Sequence, residues 1–181
     1  MRINSGILGR RNFEVPKDGL RPTMEQVRAA VFSSLAARVP GARVLDLFAG
    51  SGSLGLEAWS RGAAGVTAVE KISKHWKILQ GNFQALEGDP CLGSWEAVQA
   101  DVYEFLSRSP GCFDLVFADP PYDAADLPKL LAALGGVLAP GGLLVFEMRS
   151  REPCNLPDGW KLIKEKVFGG TRVLFVERII H

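Results

Sequence analysis

Histidine and cysteine are almost missing from this chain, at two and three of 181 residues. The imidazoles are His75 and His181, and Cys91, Cys112 and Cys154 stand far apart with no C-x-x-C among them. That leaves no donor set for a zinc site and no disulfide framework, so no metal is expected. A reducing cytoplasm suits such a chain, with each cysteine a small apolar filler. Also lacking are an apolar run long enough to cross a bilayer and a charged-then-apolar start resembling a signal peptide. Internal repeats and low-complexity stretches are absent as well. What is present is an ordinary globular composition, 47% hydrophobic and 23% charged. It suits one domain able to bury about 70% of its unfolded surface.

Net charge is nearly absent too, at +1, but its distribution is uneven. Residues 1–43 hold eight basic side chains against three acidic ones, and the remainder holds thirteen against seventeen. A basic arm, residues 1–22 with Arg10, Arg11, Lys17 and Arg21, on a mildly acidic body (23–181) suggests an anionic partner. A solvated basic surface is the plain alternative. Four or five phosphate contacts would give binding a log–log salt slope of about −3 to −4.

Asp119-Pro120-Pro121-Tyr122 follows Phe113–Ala118, a run that reads as a buried strand. This pattern suits transfer of a methyl group to a planar exocyclic amine, whose lone pair is delocalised into its ring. A carboxylate and a nearby carbonyl can accept both N–H bonds and turn the lone pair toward an electrophile. Two prolines hold that carbonyl rigidly. Tyr122 offers a face on which a nucleobase can stack, worth roughly 1–3 kcal/mol. A strand-ending Asp with a Pro-Pro turn and a core tyrosine is the competing structural explanation.

Upstream, Asp46-Leu47-Phe48-Ala49-Gly50-Ser51-Gly52-Ser53-Leu54-Gly55 contains G-x-G-x-x-G, and Glu70 lies twenty residues after Gly50. At face value this is a nicotinamide-dinucleotide fingerprint. Asp46 argues against that reading, because a carboxylate just before the glycine turn would repel a pyrophosphate. The same carboxylate suits S-adenosylmethionine, which has no phosphate and carries an ammonium group. Glycines let the backbone approach such a cofactor closely, and Glu70 can accept from its ribose hydroxyls.

Elsewhere, strand and helix patterns alternate. Thr23-Met24-Glu25-Gln26 reads as a capping box opening a helix to about residue 37. Strands are expected at 43–48, 65–70, 95–100, 113–118 and 142–147, helices at 53–61, 73–86 and 125–134, and a terminal hairpin at 161–178. Five β–α steps and a hairpin predict an α/β, Rossmann-like sheet of seven mostly parallel strands with helices on both faces. Asp46, Glu70, Asp101 and Asp119 then close the first four strands, where ligands bind in such sheets. Asp101 has two open readings, as N-cap of a helix starting at Val102 or as a contact to an adenine amino group.

Together the motifs make the chain resemble the bacterial 16S ribosomal RNA guanine-N2 methyltransferases over nearly its whole length. The resemblance rests on Arg2-Ile3, Ser5-Gly6 and Arg11, Gly19-Leu20-Arg21-Pro22-Thr23, Val27-Arg28 and Phe32. It continues in Asp46–Gly55 with Leu56-Glu57-Ala58, Glu70, Asp119–Tyr122, Glu147 and Lys166–Gly169. It implies the class I S-adenosylmethionine-dependent fold and methylation of a guanine N2 in small-subunit rRNA, naked or in a particle, by a monomer in the cytoplasm. Asp119, Pro120, Pro121 and Tyr122 match the catalytic loop. Asp46, Phe48, Gly50, Ser51, Gly52, Glu70, Asp101 and Val102 match cofactor positions. Ala29, Ser33 and Ile72 depart from the usual pattern without touching either loop. An amino-methyltransferase acting on DNA would use the same loop but normally carries a recognition domain, for which there is no insert. A non-catalytic ribosome assembly factor with this fold is the other alternative, against which Asp46 and Asp119 weigh.

Overall fold

Short apolar runs of five or six residues become the central strands, and longer runs with a 3.6-residue period pack over them as helices. The computed structural model describes residues 1–17, 22–108 and 111–179. In chain order its elements are α1 (Pro22–Ser34), β1 (Arg43–Leu47), α2 (Ser53–Ser60), β2 (Gly65–Glu70), α3 (Ser73–Leu86), β3 (Ser94–Gln99) and α4 (Val102–Ser107). Then come β4 (Phe113–Ala118), a 3-10 turn (Tyr122–Ala124), α5 (Leu127–Leu134), β5 (Leu138–Arg149), β6 (Trp160–Phe168) and β7 (Thr171–Arg178). The seven strands lie in the order β3-β2-β1-β4-β5-β7-β6. The first five pair in parallel, and β7 runs antiparallel to both β5 and β6. This is the architecture expected from the β–α alternation.

Side chains alternate between two cores. Val44, Val66, Ala68, Leu115, Phe117, Val145 and Phe175 face one side, under α1, α2 and α3. Leu45, Leu47, Val69, Val116, Leu144 and Val176 face the other, under α4 and α5. The expected α3 stripe packs inward through Leu79, Phe83 and Leu86, with Trp76 partly covered. Phe83 stacks on Trp95 with centroids 5.2 Å apart. Burying one such side chain is worth about 1.5–3 kcal/mol.

Residues 1–17 join the first core through Ile3, Leu8 and Phe13. Their anchor is α2. Glu57, 0% exposed, accepts the Asn4 and Ser5 amides at 2.8 and 3.1 Å and pairs with Arg61 at 2.8 Å. Ser60 Oγ accepts the Leu8 amide at 2.9 Å and donates to the Ser5 carbonyl at 2.6 Å. Buried Arg28 reaches the Arg2 carbonyl at 2.6 Å and stands 3.8 Å from Glu57. Burial pulls the Arg28 pKa down, and the charge of Glu57 opposes that pull.

Three expectations need correction. Helix α1 opens at Pro22, so Thr23 lies inside its first turn and the T-x-x-Q box is not its cap. Proline, with fixed φ and no N–H, is suited to that first position. Helix α5 starts at Leu127, later than 125, because the Asp126 side chain caps it by accepting the Lys129 amide at 3.0 Å. Cys91 and Cys112 are exposed, so neither fills the core. No described helix is long and apolar enough to cross a membrane.

Candidate active site

Strand order reverses between β1 and β4, and in open α/β sheets the crevice beyond the carboxyl ends at such a point receives ligands. Asp46 sits in β1, Glu70 ends β2 and Asp119 follows β4 directly. Register gives their directions. Asp46 lies beside Phe117, and Phe117 beside Val145. Since alternate residues share a face, Asp46, Asp119 and Glu147 all project over the α1–α3 side of the sheet.

Asp46 is 2% exposed, and its Oδ2 accepts the Gly55 amide at 2.9 Å. A Cβ on Gly55 would come within 3.1 Å of that oxygen, so a glycine here lets α2 approach the strand. Burial, together with the charges of Asp119 and Glu70, pushes the Asp46 carboxyl up to about 8, although the Gly55 amide works the other way. Glu147 is raised to about 8 as well, by burial and by the charges of Asp119 and Asp46. Carboxylates crowded in this way favour a cation between them.

After β1, Phe48 takes a φ of 56°, a left-handed angle uncommon for a side-chain-bearing residue, and turns the chain into the glycine loop. Gly50 follows at φ 57°, with open space where a Cβ would stand, so the backbone is bare on that side. Gly52, at φ 86°, precedes α2, and a Cβ there would strike Leu79 at 2.4 Å. Glu70 reaches across to this loop. Its two oxygens accept the Gly50 and Ile72 amides, each at 2.8 Å, which ties the end of β2 to the turn after β1.

Asp101 is the N-cap of α4, accepting the Tyr103 and Glu104 amides at 2.9 and 3.3 Å. Lys71 stands 3.2 Å from its other oxygen. Burial works against its ionisation, but Lys71 and the two amides outweigh it and hold the carboxyl below its ordinary value. Val102, the first residue of α4, is buried in the second core, so only its backbone is available to a ligand.

In the D-P-P-Y loop, Asp119 and Pro121 are exposed, Pro120 is buried and Tyr122 is half-buried. The Pro121 carbonyl closes the 3-10 turn by accepting the Ala124 amide at 2.8 Å. Tyr122 Oη lies 3.3 Å from Thr171 Oγ1 at the start of β7, and the Arg149 guanidinium stands 4.8 Å from the ring centroid. The loop is thus tied to the β5–β7 ladder.

The structure therefore brings Asp46, Phe48, Gly50, Ser51, Gly52, Glu70 and Asp119–Tyr122 to one rim, with Asp101 and Val102 at the next strand end. It does not bring Arg10 and Arg11 there. Both are exposed in a turn closed by the Leu8 carbonyl and anchored at Ser60, the far end of α2. Arg10 holds a left-handed φ of 70°. Lys17 is exposed farther along the arm, and Arg21 lies outside the described residues. The arm returns to the rim through Asn82, whose amide pairs with both backbone groups of Glu14 at 2.8 Å and donates to the Ser51 carbonyl at 2.9 Å.

Sequence reading missed Asn82, Glu147 and Arg149 as site residues. Asn82 was legible as a polar residue on the buried side of α3, and Glu147 as a lone acid in the run Leu143–Met148. Nothing local marks Arg149. A cavity of about 690 Å³ lies on the other face of the sheet, between Tyr103, Lys129, Met148 and Asn155. None of these site residues lines it. Among the described residues no group of three His, Cys, Asp or Glu could hold a metal ion.

The family model described as Conserved hypothetical protein 95 matches residues 1–177. Ribosomal RNA small subunit methyltransferase D of Escherichia coli strain K12 is 36% identical over 182 residues, covering 98% of this chain and 90% of that protein. The solved structure of the Escherichia coli protein yhhF superposes with a TM-score of 0.87 at 34% identity, covering 100% and 99% of the two chains. SMU.776, crystallised as a complex with SAH, has a TM-score of 0.67 at 17% identity over 87% of this chain and 50% of its own. At that identity it shares the fold alone.

Proposed function

The chain belongs to the Conserved hypothetical protein 95 family, and we propose that it methylates the exocyclic N2 amine of a guanine in small-subunit (16S) ribosomal RNA. The methyl donor is S-adenosylmethionine. The observation that carries this reading is the placement of Asp119, within D-P-P-Y, beside buried Asp46 at the reversal of strand order. The relative that methylates small-subunit rRNA by name supports the substrate class.

The rim fits that cofactor. Raised carboxyls at Asp46 and Glu147 favour a cationic ligand, and the bare side of Gly50 admits close approach. When bound, the cofactor supplies an electrophilic methyl group on a sulfonium. Asp46 takes its ammonium. Each Glu70 oxygen keeps a second lone pair beyond its amide bond, and these accept the ribose hydroxyls. The Gly50-Ser51-Gly52 turn and Phe48 line the methionine side, while Asp101 and the Val102 backbone meet the adenine.

On the acceptor side the guanine leaves its stack, because within a helix the neighbouring bases cover the face of the N2 amine that must meet the methyl group. Tyr122 receives the base on its ring. Asp119 and the Pro120 carbonyl accept the N2 hydrogens and aim the nitrogen lone pair at the methyl group, while Pro121 stiffens the loop. Rate comes from this positioning and from stabilising the charge that builds on nitrogen. Residues 1–22, with Arg10, Arg11, Lys17 and Arg21, act as an RNA-gripping arm on the catalytic body 23–181.

The test is transfer of labelled methyl to unmodified small ribosomal subunits and to duplex DNA, followed by nucleoside analysis. N2-methylguanosine from 16S rRNA alone is the expected product. Label in DNA, or on another base, would overturn the reading. Cofactor binding without transfer to any substrate would favour the assembly-factor alternative.

A further inference from the structure

Arg149 ends β5 opposite Thr171, the first residue of β7, and the two form the last pair of that antiparallel ladder. Tyr122 is tethered to this pair from both sides, through its hydroxyl to Thr171 and through its ring to the Arg149 guanidinium. The attraction between this cation and the half-buried ring places the side chain without using any of its N–H groups. Among the described residues, exposed Arg149 meets no carboxylate and no hydrogen-bond acceptor. By contrast, Arg38 pairs with Glu177, Arg61 with Glu57, Arg108 with Glu104 and Arg172 with Glu165. Among the described residues, the guanidinium donors of Arg149 therefore stand open beside the aromatic ring of the catalytic loop.

Electrostatics gives this placement a consequence. The charge of Asp119, which pushes up the Asp46 and Glu147 carboxyls, stands at the same rim, and an RNA backbone approaching Tyr122 would be repelled by it. A permanently charged planar fork offsets that repulsion, and its geometry matches a phosphodiester through two parallel N–H bonds. Arg10 and Arg11 cannot do this from the far end of α2.

We propose that Arg149 is a substrate-contact residue that binds the phosphodiester of the target nucleotide and so seats its base on Tyr122. The proposal rests on the RNA methyl-transfer reading, and its test separates the two. Binding of unmodified small ribosomal subunits is measured against salt concentration for the wild type, Arg149→Gln and Arg149→Lys, with S-adenosylhomocysteine affinity and steady-state transfer measured alongside. Arg149→Gln is expected to make the log–log salt slope shallower by about 0.7–0.9. It should raise KM for the RNA about tenfold or more, with a smaller change in kcat. Arg149→Lys should keep the slope, and both variants should keep S-adenosylhomocysteine affinity. An unchanged slope in Arg149→Gln overturns the proposal whatever happens to the rate, and so does lost cofactor affinity, which would mark a structural role. The slope is read without turnover. Wild-type protein that binds subunits but methylates no rRNA would therefore sink the functional reading and leave the phosphate contact to be judged on its own.

Discussion

Glu57 and Asp46 are both buried acids on the α1–α3 side of the sheet, 0% and 2% exposed, yet the fold surrounds them in opposite ways. Glu57 is met by two backbone amides and two guanidinium groups, all from this chain. Asp46 receives one amide, from Gly55, and faces the charges of Asp119 and Glu70. Glu57 is finished by folding: it fastens residues 4 and 5 to α2. Asp46 is unfinished. Its raised carboxyl marks an electrostatic cost that a bound cation would relieve, so one buried acid closes a structure and the other marks a candidate site.

The largest effect expected bears on how far the contrast extends to an exposed acid of the same rim. Asp119→Ala should reduce methyl transfer by at least about 10³-fold, since it removes the group proposed to orient the amine. Calorimetric affinity for S-adenosylhomocysteine should stay nearly intact, and equal loss of both would break the division of roles. Next, Glu57→Ala leaves Arg28 buried without its partner and should lower unfolding free energy by about 3–5 kcal/mol in urea titrations. Cofactor affinity of the folded fraction should not change. If Glu57→Ala were harmless to stability, the claim that folding completes this site would fail. Asp46→Asn should do the reverse, weakening S-adenosylhomocysteine by at least about 10²-fold without lowering the unfolding midpoint at neutral pH.

The smallest effect is in pH dependence. Between about 4 and 8 the folded chain keeps protons on Asp46 and Glu147 that the unfolded chain has released. The folded state binds more protons there, so stability contributed by these groups falls as pH rises through that window. Thermal midpoints should decline from pH 5 to 8, less steeply in Asp46→Asn. Cofactor binding should release protons in the same range, seen as binding heats that vary with the buffer's ionisation enthalpy.

Much of this was legible in the sequence because its signals are local. Strand periodicity placed β2 and β4 to the residue, and G-x-G-x-x-G with Glu70 located the turn that Glu70 does tie down. Asp101 was legible as a cap because capping depends on the next three residues. Helix α1 was misplaced at its start because proline and threonine compete for neighbouring positions, and the proline's fixed φ prevailed. Strand β5 ran past its expected end because its length is set by pairing with β7, a segment more than twenty residues away.

By itself, the sequence determined the order of strands and helices, the positions of the glycine and D-P-P-Y loops and the residue types at each strand end. Backbone sterics and period act over a few neighbours, so a linear pattern carries them. Tertiary structure alone decided which acids share a face, which buried carboxylate is satisfied and which is left crowded, and which arginine stands over the Tyr122 ring. Those outcomes depend on register between strands and on desolvation, and both arise only when distant segments pack together.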